Sequence, residues 1–348
     1  MSNDSSSNGT DQSCFDIYDD HHFIGLAVLS VVLSIISSIF LLAAIALIVL
    51  FKKYVYLSQK LILYLCIASL LFSFSTVLNV TPADAHTNPV SKAYCIIMGF
   101  VDQVFLWWQI NCVAIIMIDV FIRVVFERNT RKYKIPYIIG IVAPPLVFSW
   151  IPFIGLSYGP AGVFCWIRDR EYENCDVFNL GAILRFSLYY APFYALMIGL
   201  AILLVITLCI SRRKKKQWMT GNLGKETIEL QKKIISETRS LIGYPVFFMV
   251  ICITPLIFRI YGIFKTDGTI YFILSYLLVI VYRLIGVIIA LIFALDPETR
   301  KKLNCVEIQA AIQRWKGKEK NAVVAYEAEI GRSDSYSREK AIKIEKDT

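Results

Sequence analysis

From Phe23 to Phe51 the sequence contains no charged residue, a gap of 29 positions, and the 22 residues ahead of it contain neither lysine nor arginine. The first absence excludes a soluble domain, which needs charge at shorter intervals than a chain that is 18% Asp, Glu, Lys and Arg provides. The second excludes a cleaved secretion signal, which needs a basic flank and a shorter apolar core. Histidine is scarce, with His21, His22 and His86 the only three, and there is no His-Glu-x-x-His, no Cys-x-x-Cys and no glycine-rich phosphate loop. These gaps argue against the commoner hydrolytic, redox and nucleotide-transfer sites, so no catalysis, no metal and no cofactor is expected. Asp19-Asp20-His21-His22 carries metal-ligand residue types, but a solvated segment beside the membrane accounts for it.

What the chain has instead is apolar length: 57% hydrophobic residues and a mean hydropathy of +0.59. About 20 apolar residues cross the hydrocarbon core as a helix. Seven segments qualify: 23–51, 58–80, 93–125, 135–157, 181–211, 241–264 and 270–295. Lysine and arginine in the connections set the orientation. The side shared with the N-terminus carries four and the opposite side sixteen, nine of them in 212–240. The expected fold is therefore an all-α membrane protein, a seven-transmembrane helix bundle with its N-terminus outside. The net charge of +9 then faces anionic membrane lipids and calls for no nucleic acid. Four regions follow: an extracellular leader at 1–22, the bundle at 23–295, an amphipathic juxtamembrane helix at 296–315 and a charged, disordered tail at 316–348.

Asn3 and Asn8 head glycosylation sequons in the leader; a third sequon, Asn79-Val80-Thr81, lies too close to the bilayer for modification. Cys14, Cys95, Cys165 and Cys175 fall outside, where four cysteines allow three pairings. Cys95 begins the third span, so a Cys95–Cys165 bridge would tie "CWIRDREYENC" (165–175) over the bundle mouth, leaving Cys14–Cys175 to tether the leader. A small Cys165–Cys175 loop is the rival.

Seven spans, an exterior N-terminus and a Cys-Trp-Ile loop resemble a G-protein-coupled receptor. The stretches "FCWI" (164–167), "LRFSLYYAPFY" (184–194), "LIGYPVFFMVICITP" (241–255) and "YRLIGVIIALIFALDPETR" (282–300) are most similar to the superfamily of slime-mould cyclic-AMP receptors and fungal carbon-sensing (glucose) receptors. The likeness covers about 23–315. It implies a plasma-membrane receptor that passes binding of an extracellular small-molecule ligand to a heterotrimeric G protein. Span seven departs from that pattern: Leu284-Ile285-Gly286 and Ile289 stand where the family carries Leu-Gln-Gly and Asn. Where rhodopsin-like members carry Asp-Arg-Tyr, this chain reads Asp119-Val120-Phe121, and span seven has no lysine for a retinal Schiff base.

Ionisable residues inside spans are costly and usually face the bundle interior. Asp102, Arg185 and Arg259 lie in the outer halves of spans three, five and six, and Arg283 near the middle of span seven. With Trp108 and Tyr189 they form a candidate site with three cations against one anion, suited to a polar or anionic ligand. Arg185 and Arg259 also lie near enough to the interface to snorkel, and Asp102–Arg283 can be read as a structural pair. Asp119 and Arg123, four residues apart on span three, are expected to pair along one helix face as a switch. Pro245 and Pro255 supply kink points in span six.

On the inner side, "RRKKK" (212–216) ends span five as a lipid anchor and Lys225–Ser240 reads as a helical extension into span six. Asp296 and Pro297 read as the N-cap and first residue of the juxtamembrane helix, which presents Cys305, Ile308, Ile312 and Trp315 on one face. Cys305 is a candidate palmitoylation site. A seven-span transporter or channel is the competing class. It would show internal repeats, and none is visible.

Overall fold

The computed structural model describes residues 20–82, 88–126, 128, 130–161, 163–168, 179–220, 225–264 and 269–315; for Asp20, Arg131, Asn179, 215–220, 225–240, Arg259, 262–264, Glu298, Lys301, Cys305 and Trp315 the description is of the backbone alone. The sequons at Asn3 and Asn8 and the cysteines Cys14 and Cys175 lie outside these residues.

The uncharged runs become helices because hydrocarbon supplies no partner for a backbone N–H or C=O, so each must be satisfied within its own segment. They are α1 (Asp20–Leu50), α2 (Leu57–Leu78), α3 (Pro89–Phe126), α4 (Lys134–Ile154), α5 (Asn179–Arg185) continuing through a π-helical turn at Phe186–Tyr190 into α6 (Ala191–Thr220), and α7 (Lys225–Phe264). The seventh span is the pair α8 (Thr269–Arg283) and α9 (Ile285–Leu295), bent by 43°. Six spans are single apolar helices by length and composition; the bent pair brings the number to seven, as expected. The extension read at 225–240 is present as the first turns of α7.

The helix of span five runs past 211 through the basic run to Thr220, and two elements read as single helices are broken. Span seven is not one helix: Leu284, at φ −80° and ψ −3°, interrupts it directly after Arg283. The juxtamembrane segment is two helices, α10 (Pro297–Lys302) and α11 (Cys305–Trp315), with Leu303 and Asn304 between. Asp296 caps α10 as expected, its Oδ2 accepting from the Thr299 N–H at 3.2 Å. On α11 Ala311 is buried while Ile312 is 40% exposed, so the apolar stripe only partly faces the bundle.

The helix α3 is the axis of the bundle, buried from Cys95 through Ile110 and Met117 to Val120. Around it Leu41, Ile48, Leu65, Phe193, Phe248 and Phe293 close the core. Gly286 lets α9 approach α1. A Cβ there would sit 2.2 Å from Ser37 Oγ and 2.5 Å from Leu41 Cδ1. Exposed isoleucines and valines on the outer faces, such as Ile39, Ile198 and Val250, suit contact with lipid.

Candidate functional site

At the outer end, in the topology the basic loops predict, the segment after α4 forms an antiparallel hairpin, β1 (Tyr158–Pro160) with β2 (Cys165–Ile167), pairing Gly159 with Trp166. Cys95 and Cys165 are disulfide-bonded with their Cα atoms 5.1 Å apart, which excludes the Cys165–Cys175 loop. Gly99 explains how close the hairpin comes to α3: a Cβ there would lie 3.2 Å from the Trp166 backbone. Asn79, just past α2, grips the same strand twice, donating to the Cys165 carbonyl and accepting from the Cys165 N–H, both at 3.0 Å. The Tyr158 hydroxyl donates to the Ser149 carbonyl at 2.8 Å, and burial raises its pKa, so it stays protonated. The hairpin therefore caps the mouth of the bundle as a fixed plug.

Asp102 and Arg283 converge on one turn of α2 without touching. Asp102 accepts from Ser75 Oγ and Asn79 Nδ2, both at 2.5 Å. Arg283 donates from Nε to Ser30 Oγ at 2.9 Å and from Nη1 to Thr76 Oγ1 at 2.7 Å. The guanidinium also lies 5.0 Å from the Phe164 ring centroid and 5.6 Å from that of Phe72. The direct Asp102–Arg283 ion pair expected from the sequence is thus absent among the described residues. Hydroxyls and a carboxamide satisfy each charge, because Ser75 and Thr76, adjacent on α2, present one hydroxyl to each side. Hydrogen bonds to a charged group contribute about 1.5–3 kcal/mol each.

Arg185 does not snorkel. It is buried, and its Nε and Nη2 both donate to the Ile167 carbonyl of the hairpin, with the guanidinium 5.0 Å from the Trp166 ring. The π turn that follows turns Tyr189 inward, where it is 3% exposed. Its hydroxyl lies 3.1 Å from that of Tyr282, and its ring meets Trp166, Phe193 and Trp107 at centroid distances of 5.0, 5.5 and 6.1 Å. π turns inserted in α-helices recur at functional sites. Of the adjacent tryptophans, Trp108 packs half-buried beside Phe105 and Trp107 reaches Tyr189. Arg259 lies on α7, with only its backbone described.

At the inner end Asp119 and Arg123 do pair, Oδ2 to Nε at 3.0 Å. Arg123 also donates to Thr130 Oγ1 at 3.0 Å and Ser58 Oγ at 2.5 Å, joining α2, α3 and the turn before α4. A second inner cluster escaped the sequence reading. Lys52 adopts a left-handed conformation (φ 49°), and Lys53 after it is buried beneath the bundle. Lys53 Nζ lies 2.5 Å from Thr299 Oγ1, 3.8 Å from Asp296 Oδ2 and 5.2 Å from the Phe293 centroid. It ties the first inner loop to the end of span seven, so not every basic residue on this side faces lipid. Pro245 and Pro255 both lie within α7 and are buried.

This arrangement has solved counterparts. The crystal structure of squid rhodopsin superposes with a TM-score of 0.64, covering 83% of this chain and 87% of that one at 14% identity. The fold is that of the seven-transmembrane G-protein-coupled receptors. No protein-family model matches the sequence. Frizzled/smoothened-like sans CRD protein H of Dictyostelium discoideum is 29% identical over 115 residues, 30% of this chain, and the ascaroside receptor GPR3 of Arthrobotrys oligospora is 22% identical over 168 residues, 45% of this chain. The matches span only 20% and 40% of those two relatives' lengths. Within the G-protein-coupled receptor fold, the sequence-chosen residues form two groups. Asp102, Arg185, Tyr189 and Arg283 gather around the hairpin end; Asp119 and Arg123 sit at the opposite end of α3. Cys305 is the first residue of α11.

Proposed function

We propose that the protein is a plasma-membrane G-protein-coupled receptor that converts binding of a small polar or anionic extracellular ligand into activation of a heterotrimeric G protein. The observation that carries this reading is α3 itself. One helix holds the plug, Asp102 and the aromatic cluster at one end and the Asp119–Arg123 pair at the other. A ligand that favours one arrangement of the outer end shifts the population of the inner end through that shared helix. Pro245 and Pro255 each lack an N–H for the helical ladder of α7, which gives its inner half two points at which to bend. The cyclic-AMP-receptor or carbon-sensing subdivision is part of this proposal and rests on the span-five and span-six motifs.

The test is nucleotide exchange. Nanodisc-embedded protein should accelerate uptake of a non-hydrolysable GTP analogue by a purified heterotrimeric G protein when screened with cyclic nucleotides, sugars and amino acids. A seven-span transporter is the second reading, favoured by the break at Leu284 beside Arg283, since transporters carry interrupted helices near the midplane. Solute flux into sealed vesicles, with no exchange on any G-protein class, would select it.

A further inference from the structure

Buried N–H groups in native proteins almost always have acceptors, yet α3 carries a row that has none. Gln103, Trp107 and Asn111 are spaced four residues apart, which places them on one face of the helix, roughly 6 Å from one to the next. Gln103 is 0% exposed and its Oε1 accepts from Trp166 Nε1 at 2.6 Å. That bond fixes the amide orientation and leaves Nε2 without an acceptor among the described residues. Trp107 is 4% exposed and its indole N–H is likewise unpartnered, as is Asn111 Nδ2. Each of these three unpartnered atoms is a donor. The orphan acceptor Gln109 Oε1 belongs to a side chain that faces away, with Gln109 Nε2 donating to Ser69 of α2.

We infer that this ladder is the recognition edge for a small, uncharged molecule that presents at least two carbonyl or ether oxygens along one side. The inference rests on the receptor reading above and narrows it from polar or anionic to polar and uncharged. The charged side chains described nearby are each hydrogen-bonded within the protein. Arg185 is committed to the Ile167 carbonyl, Arg283 to Ser30 and Thr76, and Asp102 to Ser75 and Asn79. Tyr189 and Phe148 flank Trp107, with centroids 6.1 and 6.3 Å away, and supply apolar walls. Trp166 joins the hairpin to the top of the ladder. A guest there needs acceptors to satisfy the donors and apolar faces to match the rings; among the described residues no charged side chain lies on this face of α3.

The test uses the full chain in nanodiscs and three ring compounds of one carbon frame: cyclohexane-1,4-dione, cyclohexane-1,4-dicarboxylate and 1,4-diaminocyclohexane. Saturation-transfer NMR should show saturable millimolar binding of the dione, at least fivefold tighter than either charged analogue. Trp107→Phe keeps the ring and removes the N–H, and should weaken dione binding at least fivefold. Asn111→Leu provides a second lesion that leaves the hairpin contacts intact, and thermal melting checks that both variants fold. No saturable dione binding, tighter dicarboxylate binding, or dione binding unaltered in both variants would each overturn the inference. Because binding is read without G protein, the two readings fail separately. Ladder-dependent binding without nucleotide exchange counts against the receptor, whereas exchange driven by an anionic agonist counts against the ladder's specificity.

Discussion

The two ends of α3 differ in what lies beside a buried charge. At the outer end Asp102 and Arg283 approach the same turn of α2 but are each satisfied by neutral groups, Ser75 and Asn79 for one, Ser30 and Thr76 for the other. At the inner end opposite charges lie together, Asp119 with Arg123 at 3.0 Å and Lys53 with Asp296 at 3.8 Å. Neutral partners attached to different helices act as struts, because their hydrogen bonds vanish if the helices separate. Ion pairs can trade partners, because either member can be taken over by a third charge. Both ends thus have neutral struts between elements, Arg123 donating to Ser58 and Thr130 and Lys53 to Thr299 at the inner end, and only the inner end adds ion pairs to them.

The largest effect should come from the outer strut that is covalent. The Cys95–Cys165 bridge closes 70 residues, and removing such a cross-link by Cys95→Ser should cost about 4 kcal/mol. Thermal unfolding in detergent measures it; a melting temperature matching the parent protein would show that Asn79 and Arg185 alone hold the plug. Next, Arg283→Leu should cost about 3 kcal/mol through lost charged hydrogen bonds. Its coupling to Asp102→Asn in a double-mutant cycle should stay below about 1 kcal/mol, and a coupling above 2 would mean a direct ion pair and break the contrast drawn here. Gly286→Ala should follow at about 2 kcal/mol, since its methyl meets Ser37 and Leu41; adding Ser37→Gly should recover only part of the loss, because the Leu41 contact remains. The smallest expected effect is at the inner end. Thr299→Val removes the hydroxyl that receives Lys53 and should cost about 1 kcal/mol, while raising basal nucleotide exchange if this contact restrains the resting state. Unaltered basal exchange would leave Lys53 a purely structural tie.

The sequence made the architecture legible wherever a single segment carried the signal. Uninterrupted apolar runs gave the seven spans, Asp296-Pro297 gave a helix start, and the four-residue spacing of Asp119 and Arg123 gave their pairing. Contacts that depend on two distant segments were hidden. Arg283 was visible as a buried cation, but its partners Ser30 and Thr76 are ordinary hydroxyl residues in apolar helices, with nothing local to mark them. Lys53 looked like any inner-loop lysine, because its burial depends on the left-handed turn at Lys52 and on Thr299, 246 residues away. The break at Leu284 has no proline to announce it. The donor ladder was half legible: its spacing is in the sequence, but that its donors lack acceptors appears only after packing.

Asn79 carries a consequence for biosynthesis. Its side-chain nitrogen, the atom to which an N-linked sugar would be attached, donates to both Asp102 and the Cys165 carbonyl in the folded protein. The sequon Asn79-Val80-Thr81 is therefore closed to the glycosylation machinery once the hairpin has docked, and a glycan added earlier would prevent that docking. Sugar at Asn79 and a seated plug are mutually exclusive.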